Sequence, residues 1–76
     1  MSTEETVIEI RDENIRLGQA LKKACLVQSG ADAKAVIRDG FVLVNGDVCT
    51  ERGRKLRNGD CFTFDGKKIR VISDVS

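Results

Sequence analysis

Two groups of cations are the residues of this 76-residue chain whose types and spacing suit chemistry, and the chemistry they suit is phosphate binding. Lys34 and Arg38 lie four positions apart, so a helix through them carries both on one face. Neither has an acidic residue three or four positions away within 31–39. Like charges at that spacing cost roughly 0.2–0.5 kcal/mol in an isolated helix, a repulsion that an external anion removes. Gly30, Ala31 and Ala35 are small enough to admit a bulky partner to the backbone, and the helix N-terminus after Ser29 presents free amides to a phosphate. The second group, Arg52, Arg54, Lys55 and Arg57, packs four cations into six residues with no acid between them. Arginine meets phosphate oxygens with a planar fork and lysine with a point charge. Each group also has a plain reading as solvated surface, and Glu51 and Asp60 flank the second.

Catalysis finds no comparable support. Without histidine, general acid–base work needs paired carboxylates or a thiolate beside a base, and the acids are scattered. The glycines mark turns and form no G-x-x-x-x-G-K phosphate loop. No catalytic residue and no enzyme activity are expected. Cys25, Cys49 and Cys61 are odd in number and lack C-x-x-C spacing, whereas a structural zinc needs four ligands, so neither a metal site nor a cofactor is expected. The polar N-terminus and the short apolar run Ala24–Val27 suit neither a signal peptide nor a membrane span. All three cysteines therefore read as small buried hydrophobes in a reducing cytoplasm.

Charge and length narrow the class. Residues 1–14 set five acids against Arg11, net −4, while residues 15–76 set twelve cations against seven acids, net +5. The expected organisation is an acidic flexible leader over 1–5 and one domain over 6–76 with a basic surface. A chain this short buries roughly 60% of its unfolded surface, enough for one thin core and no enclosed cavity. Lacking Trp and Tyr, that core rests on Val, Ile, Leu and Ala.

Several elements must position these cations. Residues 6–10 alternate as a strand with Ile8 and Ile10 inward. Leu17, Ala20, Leu21, Ala24 and Val27 follow helical spacing, with Lys22 and Lys23 outside. Ser29 caps a second helix over 31–39, whose inward stripe is Ala33, Val36 and Ile37 and which closes at Asp39–Gly40. Asn45–Gly46 joins strands 41–44 and 47–50 as a two-residue hairpin, and Asp65–Gly66 joins strands 61–64 and 68–72. Between them, 51–60 reads as a basic loop with Leu56 as a lone apolar anchor and a turn signal at Asn58–Gly59. Phe62 and Phe64 share a strand face and read as core, leaving Phe41 as a candidate for base stacking. The fold class is α+β, with two helices packed on one face of a small mixed or antiparallel sheet.

The stretch from Ser29 to Gly46 resembles the core of the ribosomal-protein-S-four-type RNA-binding domain. There a helix runs into Ile-x-x-Gly-x-Val-x-Val-Asn-Gly, followed by a basic loop and a Gly-Asp pair. Ile37, Gly40, Val42, Val44, Asn45, Gly46, Arg54–Lys55–Leu56 and Gly59–Asp60 match these elements, and Leu17–Lys22 looks like that domain's first helix. The likeness spans about residues 15–64. The terminal strands and the Arg52–Leu56 run resemble its small stand-alone bacterial, YbcJ-like form. The resemblance implies the αL-type RNA-binding motif with extra terminal strands. It also implies non-catalytic recognition of structured ribosomal or transfer RNA through the second helix and adjoining loop. By position it nominates Lys34, Arg38, Arg52, Arg54 and Lys55. With Gly30 and Arg57 these are the candidate RNA-binding residues. Many members carry Arg or Lys where this chain has Gly30, so one phosphate contact of the pattern is missing here.

The expected partners are structured RNA, with a ribosome or an RNA-modifying enzyme beyond it; no membrane is involved, and the chain is expected to act as a monomer. A second reading is a protein-interaction adaptor, docking through the acidic leader or a sheet edge. A remote third is a ubiquitin-like sulfur carrier, whose chemistry requires a C-terminal Gly-Gly where this chain has Ser73-Asp-Val-Ser76.

Overall fold

Alternation places Ile8 and Ile10 on the buried side of β1 (Glu5–Ile10) and leaves Val7 half exposed on the other. The structure, a computed structural model, describes residues 5–74. Most of the leader expected over 1–5 thus lies outside the described residues, and Glu5 is the first residue of β1.

β1 runs parallel to the last strand, β7 (Lys67–Ser73), with Ile8 opposite Val71. The other pairings are antiparallel: β7 with β6 (Cys61–Phe64), β6 with β3 (Val42–Val44), and β3 with β4 (Asp47–Val48). The sheet is therefore mixed, in the order β1-β7-β6-β3-β4. Both hairpin turns form where their residue types demand. Asn45 and Gly46 take φ of 51° and 89°, the two left-handed residues that match the strand twist.

The helices α1 (Leu17–Lys23) and α2 (Gly30–Arg38) cover one face of this sheet. Leu17 and Leu21 from α1 and Ala33 and Ile37 from α2 meet Val42, Phe62, Ile69 and Val71 in one core, with Phe64 packed at its margin. Burying each large aliphatic or aromatic side chain is worth roughly 1.5–3 kcal/mol. The α2 boundaries follow the expected chemistry. The Ser29 hydroxyl accepts the Asp32 N–H at 3.2 Å, and Gly40, at φ 82°, turns the chain out.

The first helix departs from expectation, ending at Lys23 rather than Val27. The Cys25 N–H donates to the Lys22 carbonyl and the Leu26 N–H to the Leu21 carbonyl, both at 3.0 Å. These are the two hydrogen bonds that close α2 at Gly40 and Phe41. In α1 the left-handed position is held by Cys25 at φ 60°, a residue type that does not announce a helix end. The same turn overturns the reading of Cys25 as buried: it is exposed, whereas Cys49 is half-buried and Cys61 buried.

A second, two-stranded sheet was not foreseen. Asn14–Arg16 (β2) pairs antiparallel with Lys55–Arg57 (β5), so the stretch read as a basic loop contains a strand, and five strands follow α2 instead of four. Leu56 is fully buried and opposite Ile15, which pins this ribbon to the core.

Candidate nucleic-acid interface

Strand alternation decides where the second cation group points. With Leu56 inward, Lys55 and Arg57 both face solvent on β5. Directly opposite them stand Arg16 and Asn14. Antiparallel partners place their Cβ atoms ~5 Å apart on one face, so Arg16, Lys55 and Arg57 form a continuous cationic strip on the outer side of the ribbon.

Arg16 has a second duty as the residue that precedes α1. Its backbone is extended, at φ −76° and ψ 146°, and its side chain makes no helix cap. The first amides of α1 are satisfied from across the molecule instead. The Leu17 N–H donates to the Arg54 carbonyl at 2.8 Å and the Gly18 N–H to the Arg52 carbonyl at 3.2 Å. These bonds dock the 51–54 loop against the start of α1. Gly18 permits the approach, since a Cβ there would lie 2.9 Å from Arg52 Cγ.

Docking the loop makes a groove of about 310 Å³ between α1, α2 and the loop. Arg16, Gln19, Lys22 and Arg52 supply its polar walls, and Gly30, Ala33 and Gly53 keep it open. Gln19 and Lys22 are three apart on the exposed side of α1 and so stand together. Among the described residues, no carboxylate pairs with Arg16, Lys22 or Arg52, nor with Lys55 or Arg57.

The seven candidates thus separate. Gly30 and Arg52 line the groove. Lys34 and Arg38 are exposed farther along α2, at four-residue steps from Gly30, and continue its face away from the groove. Lys55 and Arg57 belong to the ribbon strip. Arg54 turns toward another cleft, under the β3–β4 hairpin, which it shares with Asp47 and Glu51. Phe41 is 63% exposed and is not among the residues that line the groove.

Arg16, Gln19 and Lys22 line the groove but were not among the sequence candidates. The outward helical spacing of Gln19 and Lys22 was a usable signal; Arg16 had none, because its neighbour Lys55 is distant in sequence. Among the described residues, no group of three His, Cys, Asp or Glu is placed to hold a metal ion, and no helix is long and apolar enough to cross a membrane.

Comparison with known proteins agrees with this architecture. Residues 8–72 match a family model described as the S4 domain. Over 59 residues the chain is 46% identical to a protein of Bacillus subtilis (strain 168) described as "Probable ribosome maturation protein RlbA", covering 78% of this chain and 83% of that protein.

Proposed function

This chain belongs to the S4 domain family, and from that premise we propose that it is a non-catalytic protein of the cytoplasm that binds structured RNA. Its RNA is ribosomal rather than transfer RNA, and its setting is ribosome maturation, in line with the description carried by its Bacillus relative.

The observation that carries this reading is the convergence of cations from two stretches of chain, 16–22 and 52–57. Arg16 and Lys22, and Arg52 with Lys55 and Arg57, meet along one ribbon and the groove beside it, and among the described residues none of these side chains forms an ion pair with a carboxylate. Concentrating like charge without internal partners opposes folding, and a polyanion relieves it. Phosphates run along the ribbon strip and over the groove mouth, with Gly30, Lys34 and Arg38 extending the track on α2 and Arg54 contributing at its margin.

The test is binding to structured ribosomal RNA fragments and to transfer RNA across a salt series. With about four or five phosphates engaged, the slope of log affinity against log salt is −0.7 to −0.9 per phosphate. Changing Arg16, Lys55 and Arg57 together to Ala is expected to flatten that slope by two units or more. Binding whose slope is indifferent to all three changes removes this site assignment.

A protein-interaction adaptor is the second reading, favoured by one observation. Phe41 and Val48, 63% and 60% exposed, are large apolar side chains open to solvent before and within the β3–β4 hairpin. Changing both to Ser separates the readings, because RNA affinity is expected to survive that change.

A further inference from the structure

In the middle of a helix glycine is less favourable than alanine by roughly 0.5–1 kcal/mol; Gly18 and Gly30 stand in first turns, where that figure does not apply in full. Gly18 has a reason to be glycine in the closeness of Arg52. Gly30 has none of the usual reasons. It is the first residue of α2, its φ is not left-handed, and a Cβ built on it would meet nothing within 4 Å. Gly53, across the groove, is equally unconstrained. What both positions share is that they line the groove and that the space about each is open.

The groove's lining narrows what that space admits. At about 310 Å³ it has room for one nucleotide, but other clefts of about 340–410 Å³ do as well, so its chemistry and not its size sets it apart. Arg16, Lys22 and Arg52 all line the groove and offer three cations to one phosphate. Guanidinium planes also accept a stacked base. Gln19 is the one neutral polar side chain in the wall, and its amide both donates and accepts, which a phosphate does not require but a base edge does.

We propose that this groove receives one unpaired nucleotide extruded from the bound RNA, its phosphate held among Arg16, Lys22 and Arg52 and its base edge met by Gln19. The proposal rests on the RNA-binding reading above and adds to it: the ribbon strip follows paired backbone, and the groove selects RNA that carries a bulge. Shape recognition of a helix and reading of an unstacked base are then divided between two adjoining surfaces.

The experiment compares three forms of one short RNA hairpin: fully paired, with a single unpaired nucleotide in the stem, and with an abasic bulge at that place. Affinities are measured by fluorescence anisotropy. The wild-type protein is expected to favour the bulged form over the paired one by roughly tenfold, the scale of one good base contact. Gly30→Leu fills the groove and is expected to bring that ratio close to one, with circular dichroism and the melting temperature reporting that it folds. Gln19→Ala is expected to erase the difference between the bulged and abasic forms. Lys55→Ala with Arg57→Ala weakens binding to all three hairpins and leaves the ratio standing. Equal binding of bulged and paired hairpins by wild type, with a steep salt slope, overturns the groove assignment and leaves RNA binding intact. So does a ratio that survives Gly30→Leu. Salt-insensitive or absent binding to every hairpin and every ribosomal fragment overturns the RNA reading itself, and this proposal with it.

Discussion

The Asn45 side chain donates to Asp60 across a gap of fifteen residues, Nδ2 to Oδ1 at 3.3 Å, and so joins the β3–β4 turn to the start of β6. Each side chain does more. Asn45 Oδ1 accepts the Cys61 N–H at 3.0 Å, and Asp60 Oδ2 accepts the Arg57 N–H at 2.7 Å. The Asn-Gly and Gly-Asp pairs of the sequence are thus one hydrogen-bonded cluster, and its last bond fixes the end of β5 from which the Arg57 side chain leaves. Asn45→Ala removes two of these bonds and places a Cβ without polar compensation at φ 51°. A loss of about 1–3 kcal/mol is expected in urea unfolding. Asn45→Gly, which lacks the backbone strain, is expected to lose about 1 kcal/mol less than Asn45→Ala.

Cys25 ends α1 in the left-handed conformation that glycine adopts without penalty at the end of α2. Cys25→Gly is expected to stabilise the protein by about 1 kcal/mol. For a domain of this size that raises the melting temperature by roughly 4–8 °C, read in a thermal unfolding scan. An unchanged or lower melting temperature would show that the turn carries no strain worth removing.

Gly18 and Arg52 are in contact so close that any side chain at 18 must displace the arginine stem. Gly18→Ala gains helix propensity and loses packing, so its stability is expected to stay within about 1 kcal/mol of wild type. Its RNA affinity is expected to fall several-fold, matching Arg52→Ala, because Arg52 leaves the groove wall. Measuring both variants side by side decides the point, since wild-type affinity in Gly18→Ala contradicts it.

Leu56 is the side chain that holds the cationic ribbon on the core, fully buried between two exposed cations. Leu56→Ala is expected to cost about 2–5 kcal/mol, the range for a leucine truncated in a packed core. Lys55→Ala and Arg57→Ala, at exposed positions on either side, are expected to change stability by about 0.5 kcal/mol or less. Denaturant midpoints of the three variants report the contrast.

Arg54 and Lys55 are neighbours in sequence but stand on different surfaces. Lys55→Ala is expected to reduce the salt slope of RNA binding by about 0.7–0.9, one phosphate's share. Arg54→Ala is expected to do less, because its cleft already holds Asp47 and Glu51. Equal slopes for the two variants would place the RNA over the hairpin cleft as well.

Local rules made much of this protein legible in its residues alone. A Ser hydroxyl three positions before an amide caps α2, Asn-Gly and Asp-Gly supply left-handed pairs for two hairpins, and the apolar periods of α1, α2 and β1 name their inward faces. Each rule acts within a few residues, so the order of the symbols suffices. The resemblance around Ser29–Gly46 rests on these short-range patterns, and the family match over 8–72 is consistent with them.

Tertiary structure decided what depends on contacts far apart in the chain. Three-residue strands such as β2 and β5 have too few residues to show a period, and only their pairing with each other makes them strands. That pairing divided a continuous basic run among three surfaces and brought Arg16 opposite Lys55. It also explains why α1 has no capping residue: the carbonyls of Arg52 and Arg54, more than thirty positions later, take that place. Charge type can be read from sequence; the company a charge keeps is set by register and docking, and these exist only in the folded chain.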